Sequence, residues 1–174
     1  MSMFTRSTLG PETWTPEGTT VAQRYRALEG ATVLVYTTDA DRAIRHYAAA
    51  CLGCTYRADQ NTAGNPMSEA EAAQAANSHA AACRAMPRGV PARLDEADAA
   101  DLVRTQLRRR RTHSTHADSV RLSDFNALRV DLQRPTAWIK AQLTAIAAAE
   151  PDFLTATPAS SGTRFTVQPF ADRT

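Results

Sequence analysis

Every cysteine of this chain belongs to one pattern: Cys51-Leu52-Gly53-Cys54, then a gap of 24 residues, then His79-Ala80-Ala81-Ala82-Cys83. No other feature of the sequence restricts the fold so narrowly. The C-x2-C pair puts two thiols on one tight knuckle. The H-x3-C pair puts an imidazole and a thiol one helical turn apart on the same face. Two such pairs make the donor set of a tetrahedral Cys3His zinc site. The predicted ligands are therefore Cys51, Cys54, His79 and Cys83, and the predicted cofactor is a structural Zn2+. A redox C-x2-C would need its first cysteine at a helix N-terminus, and the residues after Cys54 read as a strand. An iron–sulfur cluster takes four cysteines as a rule, and only three are present.

Composition explains why such a staple is needed. Of 174 residues, 43% are nominally hydrophobic, but alanine inflates that figure. Leu, Ile, Val and Phe together number only 28, below the ~20% that marks well-cored chains. The net charge of +2 is too small for a disordered polyelectrolyte. A chain so poor in large apolar groups buries little area, and a structural zinc contributes on the order of 10 kcal/mol in small fingers.

No apolar run near Met1 suggests a signal peptide, and no stretch reaches the ~18 residues of a membrane span. With an odd number of cysteines, a secreted disulfide scaffold is disfavoured. The expectation is a cytoplasmic protein with no membrane association. Among 20 basic residues only Lys140 is lysine. That bias fits the codons of a GC-rich, actinobacterial genome, and it weakens any inference from arginine number alone.

The predicted class is α+β: a small zinc-stapled ββα-like unit, an Arg-rich helix, and a C-terminal βαββ unit. Residues 1–30 read as an N-terminal arm rich in Pro, Gly, Ser and Thr, with Trp14 either folding back or docking on a partner. Thr20–Leu28 fits a short helix or a strand equally well. Residues 31–94 form the zinc unit. Ala31–Thr37 is β-branched and apolar on both faces, Asp39–Asp41 is a turn, Ile44–Ala50 leads into the knuckle and Thr55–Arg57 leads out. Ser68 and Glu71 are spaced as a capping box, opening a helix that is expected to reach Met86, before Pro87 and Gly89. Residues 95–117 are the Arg-rich helix and linker, with Asp95 as N-cap and Ala99, Leu102, Val103 and Leu107 as the apolar stripe. In residues 118–174, Val120–Leu122 and Leu128–Leu132 alternate as strands do. Pro135 suits the start of a helix to about Glu150, and Phe153–Thr157 and Arg164–Gln168 suggest a hairpin.

The remaining candidates are weaker. Arg104, Arg108 and Arg111 fall on one helix face with Arg109 and Arg110 beside them. They are read either as a phosphate-contacting patch, assigned to Arg104, Arg108, Arg109 and Arg111, or as cations favourably placed at a helix C-terminus. His113 and His116 are read as solvated rather than as a second metal pair, and His46 as packed rather than ligating. No nucleophile–base–acid set, phosphate loop or dinucleotide motif is present. Zinc deaminases carry H-x-E before P-C-x2-C, the reverse of the order here. The expectation is a non-enzymatic zinc protein that is nucleic-acid-associated, as a regulator or mobile-element accessory. The alternative is a protein–protein adaptor or assembly subunit.

Overall fold

The computed structural model describes residues 10–39, 45–113, 116–160 and 162–170, and the side chains of residues 112 and 113 fall outside that description. Among the described residues it is a mixed α+β fold with two antiparallel sheets and four α-helices. The first sheet has the order β1-β2-β3-β4, formed by Thr19–Arg26, Thr32–Thr38, Tyr47–Cys51 and Arg57–Ala58. Of the two readings open for Thr20–Leu28, helix or strand, the strand is the one found. Thr19–Arg26 is a strand, paired with β2 from Thr19 opposite Thr38 to Arg26 opposite Thr32, with a bulge between Val21 and Gln23. The turn that joins them needs Gly30 at φ +90°, a conformation that costs glycine little. Trp14 folds back and is buried against Leu34 and Tyr36.

Strand β2 is buried on both faces, as its unbroken apolar run requires. Because side chains alternate across a strand, Val33 and Val35 face one core with Ala49, Cys51 and helix α1 (Glu69–Ala82). Leu34 and Tyr36 face another with Trp14, Ala48, Ala50, Leu52 and Val130. Ser68 and Glu71 form the expected capping box of α1. The helix stops at Ala82, four residues before the expected Met86. Cys83 is already extended, and its carbonyl accepts from the Leu28 N–H at 3.1 Å, which draws the chain toward the sheet.

Helix α2 (Glu96–His113) follows, with the Asp95 carboxylate accepting the Asp98 N–H at 2.8 Å. Strand β5 (Asp118–Val120) precedes a 3-10 turn over Leu122–Leu128, the single-turn helix α3 (Arg129–Leu132) and helix α4 (Thr136–Ala149). The hairpin β6 (Leu154–Ala159) and β7 (Gly162–Val167) completes a sheet of order β5-β7-β6. The C-terminal βαββ order is thus present, but the strand expected over Leu128–Leu132 is helical. Its alternation has another cause: α3 lies between two cores. Val130 points into the core around Trp14, while Leu132 joins Val103, Leu107, Phe125, Ile139 and Leu143.

Polar contacts lock the two halves together. Tyr36 donates its hydroxyl proton to the Asn126 carbonyl at 2.8 Å. Arg129, fully buried, donates to the Arg134 carbonyl at 3.0 Å and to the Thr136 hydroxyl at 2.7 Å. Asp39, at the end of β2, accepts the Thr136 N–H at 3.2 Å and its hydroxyl proton, covering the α4 N-terminus. Among the described residues, no helix is long and apolar enough to cross a membrane.

Candidate metal centre

Strand β3 ends at Cys51, and the chain doubles back so that the Cys51 N–H donates to the Tyr56 carbonyl at 3.1 Å. This tight reversal holds Cys54 beside Cys51. Two further amides point at sulfur: the Gly53 N–H donates to Cys51 Sγ at 3.4 Å and the Tyr56 N–H to Cys54 Sγ at 3.5 Å. Amide donors of this kind favour a thiolate over a thiol. Only glycine fits at position 53. A Cβ there would lie 2.5 Å from the Ala31 methyl and 2.8 Å from the Met86 carbonyl oxygen.

Helix α1 supplies the other pair. His79 and Cys83 are one turn apart, and the Cys83 N–H donates to the His79 carbonyl at 2.8 Å. The ligand atoms of Cys51, Cys54, His79 and Cys83 all lie within 4.8 Å of one another. His79 Nε2 is 3.4 Å from Cys54 Sγ, and Cys83 Sγ is 4.0 Å from Cys54 Sγ. Tetrahedral zinc with bonds of about 2.3 Å to sulfur and 2.0–2.1 Å to nitrogen has edges of about 3.8 Å between sulfurs and about 3.6 Å from sulfur to nitrogen. The spacing therefore suits such an ion, and the soft donor set suits zinc over harder cations.

The electrostatics point the same way. Burial pushes the Cys51 thiol up to about 11, against the pull of the Gly53 N–H. A cation removes that penalty by replacing the proton. Burial lowers the His79 pKa below its ordinary value, which keeps the imidazole neutral and ready to ligate near pH 7. Tyr56 lies flat on the imidazole, with centroids 3.9 Å apart and planes 9° from parallel, so the ring plane of His79 is set from outside.

Arg57 holds the knuckle. Its guanidinium donates to the carbonyls of Cys51 at 2.8 Å, Tyr56 at 2.8 Å and Cys54 at 3.3 Å. It also grips Asp131 in α3 through two bonds of 3.0 and 2.7 Å. Burial opposes the Arg57 charge, but the Asp131 carboxylate outweighs it and the guanidinium is held more firmly protonated than usual. Outer contacts of this sort orient the groups that ligate a metal. Tyr56 and Arg57 were not anticipated as site residues. Both directly follow the knuckle, which was the available signal; Asp131, 74 residues away from Arg57, carried none.

The other candidates lie elsewhere. His46 and the exposed His116 are outside the ligand group, and the His113 side chain lies outside the described residues. On α2, Arg104 pairs with Glu150 at 3.1 Å and Asp101 at 3.3 Å. Arg110 pairs with Asp118 at 2.6 Å and Asp124 at 3.0 Å. Arg111 sits over the Phe170 and Phe153 rings, 4.3 and 5.4 Å from their centroids, and donates to the Pro169 carbonyl at 3.2 Å. Arg108 and Arg109 are exposed. Arg104, Arg110 and Arg111 are thus engaged within the fold, and the side chains of Arg108 and Arg109 reach the surface, Arg109 with a contact of its own.

No protein-family model, curated protein or solved structure matches the chain.

Proposed function

We propose that this protein is a small non-enzymatic binding protein whose Cys3His centre holds one structural zinc ion, stapling α1 to the first sheet. The observation that carries this reading is the convergence of the four ligand atoms within 4.8 Å, with backbone amides aimed at two of the sulfurs. Four protein ligands close a tetrahedral ion and leave no position for substrate or water, as a structural rather than a catalytic site requires. Zinc would be held by Cys51, Cys54, His79 and Cys83, and its chemistry there would be that of a cross-link.

The partner follows from what the surface offers. Exposed Arg108 and Arg109 at the C-terminal part of α2 support nucleic-acid association through phosphate contacts. The internal pairing of Arg104 and Arg110 and the stacking of Arg111 favour the adaptor reading instead. The test is a gel shift with duplex DNA and RNA across a salt series, using wild type and the double variant Arg108→Gln, Arg109→Gln. If both arginines neutralise phosphates, the double variant flattens the log–log salt slope by about two units, since each contact contributes about −0.9. Absence of any shift at low salt removes the nucleic-acid reading and leaves the adaptor.

A further inference from the structure

We propose that Cys54 and Cys83 form a reversible disulfide on two-electron oxidation by a hydroperoxide, releasing the zinc and making the centre a redox-sensitive site. The inference rests on the metal reading above. Three features select this pair. The two sulfurs are 4.0 Å apart, so closure to a disulfide of about 2.04 Å needs a movement of about 2 Å. Cys54 is half-buried and within reach of a small oxidant, whereas Cys51 is fully buried. Cys83 sits at the end of α1 in extended conformation, where a shift toward Cys54 disturbs no helical hydrogen bond beyond its own.

The competing pair, Cys51 and Cys54, is held differently. Arg57 clamps the carbonyls of Cys51, Cys54 and Tyr56 together, and Gly53 is packed against Ala31 and the Met86 carbonyl. Twisting the knuckle into a disulfide breaks these contacts.

The chemistry balances. One thiolate attacks the peroxide O–O bond, becoming a sulfenic acid while the departing oxygen takes a proton and leaves as water. The second thiolate attacks that sulfur and, with a further proton, expels a second water. Two thiolates, one hydrogen peroxide and two protons become one disulfide and two waters. Cys51 and His79 alone remain to hold the metal, and two ligands do not retain it against a chelator. The new bond still joins the knuckle to α1, so the oxidised protein keeps its fold.

The experiment uses the zinc-loaded wild-type protein and hydrogen peroxide, with a colorimetric chelator reporting free zinc. Free thiols are then alkylated and the protein is digested with trypsin. Cleavage after Arg45, Arg57 and Arg84 puts Cys51 and Cys54 in one peptide and Cys83 in another, so the proposed disulfide joins two peptides and fragmentation locates it. The expected result is one zinc released and one Cys54–Cys83 disulfide formed per chain, with helical circular dichroism retained. Thiol reductant plus zinc should restore the starting state. A Cys51–Cys54 disulfide, sulfinic acid without a disulfide, or zinc retained after oxidation overturns the proposal and leaves the metal centre standing. Protein that purifies without zinc and cannot be loaded overturns both.

Discussion

Replacing Cys83 with serine removes one ligand and tests how α1 is held. The helix spans 14 residues and buries only Ala72, Ala76 and Ala80. At about 0.8 kcal/mol per buried methyl, those three contribute about 2.4 kcal/mol. A helix of that length is marginal in water without tertiary support, so alanine contacts alone dock it weakly. A four-ligand zinc supplies on the order of 10 kcal/mol; a three-ligand site keeps part of that. Cys83→Ser is therefore expected to cost about 3–5 kcal/mol, which for a chain of this length lowers the melting temperature by about 10–15 °C. Hydrogen exchange should show where the loss falls. Amides of residues 69–83 lose protection, while those of β6, β7 and α4, which pack around Ile139, Leu143 and Leu154, keep theirs. Chelator added to the variant should remove the part that the three-ligand site keeps and lower the melting temperature further. A fall of under about 3 °C, with protection retained across α1, refutes the staple argument and means that the alanine face suffices.

Arg57→Gln breaks the clamp on three knuckle carbonyls and on Asp131 while keeping all four ligands; zinc affinity should fall about 10–100-fold in a chelator competition, and unchanged affinity contradicts the supporting role. Tyr36→Phe leaves the Asn126 carbonyl without its buried donor and should cost about 1–2 kcal/mol in urea unfolding; an unaltered midpoint means that the contact does not join the halves. In metal-free protein the Cys51 thiol titrates at about 11 against an ordinary 9.0. Its raised folded-state pKa stabilises the fold below about 9, and that stabilisation is lost as pH rises through about 11, because the unfolded chain releases the proton first. Melting temperature of the metal-free form should thus drop over that window more than that of the zinc form, and parallel curves would contradict the assignment.

The metal-ligand pattern was legible because metal chemistry demands few residue types at short, regular spacings. Both pairs are local, and only their meeting is long-range. Strand β2 was legible because a run buried on both faces has few alternatives. What escaped the sequence depended on distant partners. Thr19–Arg26 reads as helix or strand until β2 lies beside it. Leu128–Leu132 alternates because Val130 and Leu132 serve different cores, a pattern indistinguishable from a strand without knowing that two cores exist. The pairing of Arg57 with Asp131, and of Asp39 with Thr136 and Arg129, joins residues far apart in the chain. The arginine run of α2 shows its charge in sequence. It does not show that Glu150, Asp118, Asp124 and Phe170 come to meet Arg104, Arg110 and Arg111.

Elemental analysis together with zinc-edge X-ray absorption, on protein purified without chelator, decides whether the Cys3His centre holds its metal. One zinc per chain is expected, with three sulfur neighbours at about 2.3 Å and one nitrogen at about 2.0 Å. Metal-free protein that takes up no zinc, iron–sulfur absorbance in the visible, or a zinc shell dominated by oxygen would contradict it.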